Sequence, residues 1–312
     1  MTASENVQSV ADDQLVITEN EPLAPYTAWR IGGPARWFTT TTTPAQLVAA
    51  ARWADQRQLP LFVLGGGSNL LMSDAGWPGL VIRNRATDYH LAEHADGVLL
   101  HVAAGAPMAG TARKLAAQGL AGLEWAEGLP GTVGGAIYGN AGCYGGSLAQ
   151  NLVSATLLMP DGSVETWETP RFAFDYRTSA LKRLAANNPA TRIPLVLEAV
   201  LRLQRDDPGA IAERIAAIAS GRKSRTPAGS SCGSVFKNPA GTTAGTLIDR
   251  AGLKGLTVGA AQVAEKHANY IINLGGASAA NVLNLAEQVR EEVQRQFGIA
   301  LELEVRVIEF KP

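Results

Sequence analysis

Clustered glycines are the feature of this sequence that most restricts its fold. The chain has 33 glycines in 312 residues, and they gather at 65–67, 128–146, 229–259 and 275–276. Glycine lets the backbone turn where other residues are strained, and it lets the backbone approach another group closely. Glycine clusters between apolar runs therefore predict loops that wrap tightly around a ligand.

The first glycine cluster directly follows an apolar run. Residues 61–64 (Leu-Phe-Val-Leu) have the length and composition of a strand, and residues 65–69 (Gly-Gly-Gly-Ser-Asn) come next. Backbone N–H groups in such a loop are able to converge on an anion, for example a pyrophosphate. The spacing matches neither the Rossmann pattern GxGxxG nor the Walker A pattern, which ends in a Lys followed by Ser or Thr. Taken alone, this loop is equally typical of a tight turn between strands.

The second glycine loop is longer and carries more polar groups. Residues 128–142 (Gly-Leu-Pro-Gly-Thr-Val-Gly-Gly-Ala-Ile-Tyr-Gly-Asn-Ala-Gly) hold six glycines, with Thr132 and Asn140 among them. A hydroxyl and an amide at these positions are suited to hydrogen bonds with a phosphate or with the polar edge of a ring. Two such loops in one half of the chain favour a nucleotide cradle over two unrelated turns.

The first two thirds of the chain mix helices and strands. Residues 44–58 read as a helix with Thr43 as its N-cap, and strand-like runs occur at 79–83 and 98–103. Residues 153–167 read as a hairpin that turns at an Asp-Gly pair. A hairpin is an antiparallel pair, so the pattern predicts an α+β fold and argues against a plain doubly wound sheet.

The C-terminal third predicts a long helix and a final strand. Ser278 precedes a stripe of apolar residues at helical spacing, which Gly298 ends. Residues 300–310 then read as the last strand. An amphipathic helix is expected at 210–220, whereas the segment 184–194, rich in Asn, Ala and Pro, has no assigned role.

Charge and cysteine content exclude several functions. A formal net charge of -1, from 27 basic and 28 acidic residues, leaves no footprint for nucleic acid or for a membrane surface, so a small molecule is the expected partner. Two cysteines without a CxxC pair predict neither a disulfide framework nor a thiolate metal site. Without the pattern of a signal peptide or a membrane span, we expect a protein of the cytoplasm. No metal site is expected either, because metal-ligand spacing is missing around the histidines, which are His90, His94, His101 and His267.

Six segments, in this order, carry a specific resemblance to a known family. They are 27–34 (Thr-Ala-Trp-Arg-Ile-Gly-Gly-Pro), the two glycine loops, 174–179 (Phe-Asp-Tyr-Arg-Thr-Ser), 232–239 (Cys-Gly-Ser-Val-Phe-Lys-Asn-Pro) and 301–307 (Leu-Glu-Leu-Glu-Val-Arg-Val). Together they resemble the UDP-N-acetylenolpyruvoylglucosamine reductases over residues 23–309. The resemblance implies a two-subdomain FAD-binding fold of the vanillyl-alcohol-oxidase type, followed by a C-terminal α+β substrate-binding domain.

The expected domain boundaries follow from this resemblance and from the composition of the N-terminus. A flexible tail is expected at 1–20 and the FAD-binding domain at 21–225, with subdomains of about 21–85 and 86–225. The substrate-binding domain is expected at 226–312.

The resemblance also implies which residues hold FAD, tightly and without a covalent bond. The expected cofactor-binding residues are Arg30, Gly65, Gly66, Gly67, Ser68, Asn69, Gly128, Pro130, Gly131, Thr132, Gly134, Gly135, Asn140 and Ala141.

The implied activity is the NADPH-dependent reduction of UDP-N-acetylglucosamine enolpyruvate to UDP-N-acetylmuramate by a flavoprotein oxidoreductase. This reaction belongs to peptidoglycan precursor synthesis, and thus to cell wall biogenesis, cell shape and cell division. Hydride arriving at the vinyl carbon drives negative charge toward the substrate carboxylate, so the reaction needs a cation and a proton donor. The resemblance assigns these roles to Arg177 and Ser234, with Glu304 as the catalytic carboxylate. The expected substrate-binding residues are Tyr176, Arg222, Arg225, Lys237 and Asn238.

Several of these residues also have a structural reading. Arg177 fits an ion pair at a strand end, and Ser234 fits a turn serine that bonds its own backbone. The basic residues at 222–225 suit the C-terminal end of a helix. On a strand, Glu304 would share a face with Glu302, for which solvent exposure is the favoured reading.

One branch of the family carries an inserted loop that closes over the substrate with a tyrosine. Residues 178–233 contain no tyrosine, so the chain resembles the shorter branch. Two other functions stay open at this point. They are another FAD-containing oxidoreductase or oxidase of the same fold, and a nucleotide-binding protein without catalysis.

Overall fold

The structure is a computed structural model that describes residues 8–10, 15–187 and 192–309. The chain divides into two units, the first formed by Met1–Glu19, Trp37–Gly66 and Gly79–Arg222. The second is formed by Asn20–Arg36, Gly67–Pro78 and Lys223–Pro312, so it takes in two stretches from the N-terminal half. Compactness alone does not define a folding domain, so the domain boundaries expected from the sequence stay a prediction.

The strands of the described residues belong to several separate sheets. Their bounds are β1 (Gln8–Val10), β2 (Leu15–Pro22), β3 (Pro34–Thr41), β4 (Leu61–Leu64), β5 (Leu70–Met72), β6 (Trp77–Asn84), β7 (Tyr89–His94), β8 (Gly97–Ala103), β9 (Leu120–Ala121), β10 (Gly142–Cys143), β11 (Gly146–Ser147), β12 (Leu152–Leu158), β13 (Val164–Glu168), β14 (Leu195–Arg205), β15 (Thr257–Val258), β16 (Ala261–Val263), β17 (Ile271–Asn273) and β18 (Arg306–Ile308). The helices are α1 (Pro44–Gln56), α2 (Met108–Ala116), α3 (Val133–Gly139), α4 (Leu148–Asn151), α5 (Ala180–Asn187), α6 (Pro208–Arg225), α7 (Ala244–Arg250) and α8 (Ala279–Phe297). Short 3₁₀ turns lie at Ala24–Tyr26, Glu124–Ala126 and Thr169–Phe172.

The first unit contains a mixed sheet covered by α1. The strand order is β1-β2-β3-β6-β4, and β4 runs parallel to β6. Thr43 accepts a hydrogen bond from the amide of Gln46 at 3.1 Å, and Pro44 opens the helix, as the sequence predicted. The helix buries Leu47 and Trp53 against this sheet, which fixes the end of β4 from which the first glycine loop leaves.

A larger antiparallel sheet forms the rest of the first unit. Its order is β13-β12-β14-β8-β7, and β9 pairs with the far end of β14. The predicted hairpin is confirmed, since β12 and β13 pair antiparallel around a turn in which Asp161 accepts from the amide of Ser163 at 2.9 Å. Helices α2 and α3 pack on this sheet through Leu115, Val133 and Ile137 among others. The expected α+β architecture is therefore confirmed.

The second unit is built around α8. Ser278 caps the helix through the amide of Asn281 at 3.0 Å, and Gly298 ends it with φ +68°, both as predicted. The buried stripe of Val282, Leu285 and Val289 packs against the antiparallel strands β15, β16 and β17 and against α7. A short parallel pair, β5 with β18, joins the chain after the first glycine loop to the C-terminal segment.

Two expectations about the chain ends are wrong. Residues 15–20 belong to strand β2, in which Leu15 and Ile17 are 1% and 0% exposed, because alternating apolar residues find a sheet to cover. The rest of the expected tail, 1–7 and 11–14, lies outside the described residues. The last strand covers only Arg306–Ile308, because residues 301–305 lie beside another segment of the unit instead.

Parts of other expectations fall outside the described residues. The segment 184–194 continues α5 as far as Asn187, and residues 188–191 are among those outside the description. The same holds for the end of the expected last strand, at 310. In the part of the chain that the structure does describe, every helix is too short or too polar to cross a membrane.

Candidate active site

The two glycine loops touch each other within the first unit. A Cβ built at Gly65 would lie 2.5 Å from the hydroxyl oxygen of Thr132, and one built at Gly66 would lie 2.7 Å from the Cα of Gly131. These distances are shorter than any ordinary carbon contact, so a side chain at 65 or 66 would force the loops to shift. The result is a cradle of bare backbone at the end of β4, which suits a phosphate-bearing cofactor.

An ion pair between the exposed Arg113 and the buried Glu127 fixes the start of the second loop. Glu127 is 5% exposed and accepts two hydrogen bonds from Arg113 of α2, from Nε at 2.7 Å and from Nη2 at 2.5 Å. The hydrogen bond with Glu127 raises the pKa of Arg113. Because a two-pronged pair holds both partners in one orientation, it sets the course of the chain just before Gly128.

The expected second loop is partly helical, since residues 133–139 form α3. Thr132 is the N-cap and accepts from the amide of Gly135 at 3.4 Å, while the amide of Gly134 donates to Ala104 at 2.8 Å. The backbone amides of Gly134 and Gly135 thus donate hydrogen bonds to groups of the protein itself. The expectation that the whole segment is a loop is wrong, because Thr132 provides a cap that starts a helix.

Arg177 lies at the tip of a tight turn. Asp175 and Thr178 exchange backbone hydrogen bonds of 3.2 and 3.1 Å, which leaves Tyr176 and Arg177 as the two turn residues. Arg177 has φ +54°, a left-handed conformation that costs energy in a residue with a side chain. Nζ of Lys182 donates to the carbonyl oxygen of Arg177 at 2.9 Å. The guanidinium carbon of Arg177 lies 5.3 Å from the centre of the Tyr176 ring. The strained turn is therefore held from α5.

Asn140 joins this turn to the end of α3. Its Nδ2 donates to the carbonyl oxygen of Asp175 at 3.0 Å, and its Oδ1 accepts from the amide of Ala149 at 3.2 Å. Nearby, the fully buried Ser179 donates to the carbonyl oxygen of Tyr138 at 2.7 Å. The structure shows that the Asn140 amide braces the Arg177 turn, and its cofactor-binding role stays a prediction.

Arg222 turns its side chain onto the second glycine loop. A Cβ at Gly128 would lie 2.8 Å from its Cδ, its Nη2 lies 3.4 Å from Sγ of Cys143, and its guanidinium carbon lies 5.6 Å from the centre of the Tyr144 ring. Among the described residues, Nε of Arg222 has no hydrogen-bond partner although it is buried. A buried donor of this kind is costly unless a ligand completes it.

In the second unit, residues 27–34 form a tight turn around Arg30. Thr27 donates its hydroxyl to the carbonyl oxygen of Ile31 at 2.8 Å. Arg30 has φ +58°, and its Nη1 donates to the carbonyl oxygen of Pro25 at 2.8 Å. The side chain is exposed, so its predicted contact with FAD stays a prediction.

The end of the first glycine loop belongs to the second unit. Gly67 has φ +60°, accepts from the amide of Ala28 at 2.9 Å, and has no room for a Cβ because the carbonyl oxygen of Tyr26 occupies that place. Asn69 donates through Nδ2 to the carbonyl oxygen of Glu304 at 3.3 Å. The predicted cofactor loop thus ends next to the backbone of Glu304, the predicted catalytic glutamate.

Ser234 and Glu304 come together within the second unit. Gly233, with φ +79°, turns the chain into Ser234, which pairs across a short bridge with Tyr270. On its other side, the amide of Glu304 donates to the carbonyl oxygen of Val235 at 2.8 Å. Both Ser234 and Glu304 are partly buried. The structure therefore brings two of the three predicted catalytic residues onto adjacent segments.

Lys237 is paired with a residue that the sequence analysis read as exposed. Its Nζ lies 2.9 Å from Oε2 of Glu302, which is exposed as expected, and the hydrogen bond to Lys237 lowers the pKa of Glu302. Asn238 accepts through Oδ1 from the amide of Ala244 at 3.1 Å, at the start of α7. Glu302 and Glu304 do not share a strand, so the argument that they share a face is wrong.

His267 packs beside the same segment. Its ring centre lies 4.7 Å from that of Tyr270, and its Nδ1 accepts from the amide of Asn269 at 3.2 Å. Burial lowers its pKa, and the charges of Lys254 and Arg225 lower it further. Arg225 itself is exposed. In the described part of the chain, no group of three or more His, Cys, Asp or Glu side chains is placed to hold a metal ion.

Comparisons with known proteins agree with this geometry. An FAD binding domain model matches residues 36–168, which include the cradle at Gly65 and Gly66. The model of the UDP-N-acetylenolpyruvoylglucosamine reductase C-terminal domain matches residues 225–308, which include Ser234 and Glu304. The fold and the backbone cradle therefore define an FAD-dependent oxidoreductase.

Relatives along the full chain specify the family. A UDP-N-acetylenolpyruvoylglucosamine reductase of Chloroflexus aurantiacus is 53% identical over 93% of this chain and 96% of its own length. A UDP-N-acetylenolpyruvoylglucosamine reductase of Synechocystis is 39% identical over 96% of this chain and 93% of its own length. The crystal structure of UDP-N-acetylenolpyruvylglucosamine reductase from Thermus caldophilus is similar with a TM-score of 0.76 and 34% identity, over 97% of this chain and 99% of that one. The chain belongs to the UDP-N-acetylenolpyruvoylglucosamine reductase family.

Sequence reasoning missed several residues that support the site. Glu127, Lys182 and Glu302 gave no signal, because charged residues at such positions are usually solvated. Asn269 did give a signal in the sequence, since it is a polar residue within the largely apolar run from Ala268 to Ile272. A side-chain amide buried in such a run needs hydrogen-bond partners.

Proposed function

We propose that this protein reduces UDP-N-acetylglucosamine enolpyruvate to UDP-N-acetylmuramate, with NADPH as the reductant and tightly bound FAD, as a step of peptidoglycan precursor synthesis in the cytoplasm. The observation that carries the proposal is the placement of Ser234 and Glu304 on adjacent segments, joined by the 2.8 Å hydrogen bond from Glu304 to Val235. A hydroxyl donor and a carboxylate carried by two hydrogen-bonded segments suit protonation of a carbanion-like carbon.

The residues of the glycine loops fit FAD. Because Gly65 and Gly66 have no side chains, the two loops pack closely against each other, and bare backbone of this kind suits a pyrophosphate. The chemistry that bound FAD, reduced by NADPH, would supply here is a hydride for the substrate's vinyl carbon. The remaining cofactor-binding residues of the sequence analysis keep this role as part of the proposal.

Arg177 is proposed to stabilise the negative charge that grows on the substrate carboxylate. A guanidinium offers several donors in a fixed plane, which suits a carboxylate. The turn that carries Arg177 is strained and held by Lys182 and Asn140, so the backbone from which the Arg177 side chain projects is fixed before the substrate binds. Preorganised charge of this kind lowers the barrier because little reorganisation is left.

Ser234 is proposed to donate its hydroxyl proton to the α carbon and to regain one from solvent. Glu304 is proposed to make this transfer easier, since its amide donates to the carbonyl oxygen of Val235, the residue after Ser234. A backbone held on both sides keeps the hydroxyl in one place, which proton transfer over hydrogen-bond distance requires.

Substrate binding is proposed for five further residues. Arg222 supports an anionic ligand most directly, because its buried Nε has no partner among the described residues. Lys237 is held by Glu302 and keeps two more N–H donors for a phosphate. Tyr176, Arg225 and Asn238 are exposed, and contact with the substrate is proposed for each of them.

The test compares Ser234→Ala with wild type in anaerobic stopped flow. We expect the flavin of Ser234→Ala to be reduced by NADPH at the normal rate. We expect its reoxidation by UDP-N-acetylglucosamine enolpyruvate to slow by about a hundredfold or more, because only this half-reaction needs the proton. Ser231→Ala, three positions earlier, is the control and should reoxidise normally.

Other outcomes would point elsewhere. Equal loss of both half-reactions in Ser234→Ala would contradict the role of Ser234. A wild-type flavin that is reoxidised by oxygen and not by the enolpyruvyl substrate would favour an oxidase of the same fold.

A further inference from the structure

The segment that carries Ser234 is not part of any sheet. Among the described residues, Ser234 and Phe236 take part only in single bridges, with Tyr270 and Leu303. Such a segment lacks the repeated hydrogen bonds that fix a strand. The position of the Ser234 hydroxyl therefore depends on the few groups that hold this backbone.

The side chain of Asn269 supplies the bonds that a neighbouring strand would supply. Its Oδ1 accepts from the amide of Phe236 at 2.9 Å, and its Nδ2 donates to the carbonyl oxygen of the same residue at 2.9 Å. Asn269 is 3% exposed and Phe236 is 2% exposed, so water does not replace these bonds. A primary amide is the side-chain group that provides both a donor and an acceptor in this geometry.

The backbone of Asn269 adds a third bond to the same segment. Its carbonyl oxygen accepts from the amide of Val235 at 2.9 Å. On the opposite side, Val235 accepts from Glu304, and the amide of Lys237 donates to Glu302 at 2.9 Å. Asn269 is thus the main support on the side away from Glu304.

We infer that Asn269 is a positioning residue that sets Ser234 for proton donation, and this inference rests on the role proposed for Ser234 above. Without the amide, both backbone groups of Phe236 would be buried and unpaired, which a segment relieves by shifting. Ser234 lies two residues away and would move with it. A displacement of 1 Å at a reacting group costs about a hundredfold in rate.

Two variants test the inference. Asn269→Asp keeps the shape and the acceptor for the Phe236 amide, but it replaces the donor with an oxygen facing the Phe236 carbonyl. Asn269→Leu removes both bonds at similar volume, and Asn269→Asp is the milder change if the leucine variant does not fold. Asn281→Ala is the matched control, since it removes an asparagine amide that caps α8 in the same unit through the amide of Ser278 at 3.2 Å.

The measurement is the rate of each half-reaction in the purified holoenzymes. We expect normal flavin reduction by NADPH in all three variants. We expect reoxidation by the enolpyruvyl substrate to be about a hundredfold slower in Asn269→Asp, with a larger solvent deuterium isotope effect because proton transfer becomes the slower step. Asn281→Ala should match wild type in both half-reactions even where its melting temperature falls.

Two results would overturn the inference while leaving the function intact. One is an Asn269→Asp enzyme that is reoxidised by the substrate at the wild-type rate with an unchanged isotope effect. The other is equal slowing of reduction and reoxidation, which a merely structural role would produce. Failure of the wild-type enzyme to use the substrate would instead contradict the proposed function.

Discussion

Gly66→Ala tests whether the contact between the two glycine loops serves the cofactor. Gly66 does not have a positive φ, so its backbone conformation is open to alanine. The new Cβ would lie 2.7 Å from the Cα of Gly131, whereas ordinary contact begins at 3.4 Å. The contact is with backbone, which has no side-chain rotation to relieve it, so the loops must separate by about 0.7 Å.

The size of the effect follows from this overlap. Overpacking a close-fitting region costs about 1–3 kcal/mol. If the strain is relieved when FAD leaves and the loops separate, the same energy weakens FAD binding by roughly 5- to 140-fold. The rest of the fold should be affected little, because the overlap involves two loops and not the packed core of α1 or of the antiparallel sheet.

The assay is the FAD content and the FAD dissociation constant of purified Gly66→Ala, from the visible spectrum and from flavin fluorescence on titration of the apoprotein. Circular dichroism checks that the variant is folded. Gly209→Ala, at the start of α6, is the control, because its Cβ would meet only the movable Asp207 carboxylate, at 3.0 Å. This control should retain the full FAD content.

A folded Gly66→Ala protein with wild-type FAD content and affinity would refute the reasoning. It would show that the loops have room to separate and that their contact is not what shapes the cradle. Loss of FAD together with loss of the fold would show instead that the contact supports the whole unit.

Two more predictions concern titration and thiol chemistry. Burial holds the pKa of His267 below its ordinary 6.5, so the unfolded chain takes up a proton before the folded protein does as the pH falls. The stability that comes from keeping His267 neutral is therefore present above pH 6.5 and is lost below it. We expect His267→Gln to flatten the fall in melting temperature between about pH 7 and 5. A steeper fall in the variant would contradict this assignment. Burial raises the pKa of Cys232 to about 12, whereas Cys143 is partly exposed, so a thiol reagent should modify the native enzyme at Cys143 and leave Cys232 unmodified until unfolding. Peptide mapping checks this, and modification of native Cys232 would contradict it.

Local patterns predicted the elements whose causes are local. The cap at Thr43, the cap at Ser278 and the stop at Gly298 are made by residues within a few positions of the helix ends. The hairpin at 153–167 turns on its own Asp-Gly pair. Neighbours in the chain decide such features, and tertiary contacts only stabilise them.

The tertiary structure decided the elements whose partners are distant in sequence. Residues 301–305 have the pattern of a strand. In the structure they make only a few backbone hydrogen bonds, with residues 235–237, and these do not form a regular strand ladder. Residues 15–20 were read as a tail, but a sheet edge more than 15 residues away gives Ile17 a place to be buried. The sequence pattern indicates which secondary structure a segment is able to form. Whether the segment forms it depends on the distant segment that pairs with it.

The same division holds for the site. The sequence by itself determined the glycine loops, the motif residues Arg177, Ser234 and Glu304, and the family to which these motifs belong, because they are contiguous patterns. Only the tertiary structure showed that Glu304 lies against the segment of Ser234 and that Asn269 holds that segment by its amide. The physical reason is that a hydrogen bond depends on position in space, and residues 33 positions apart meet only after the chain has folded.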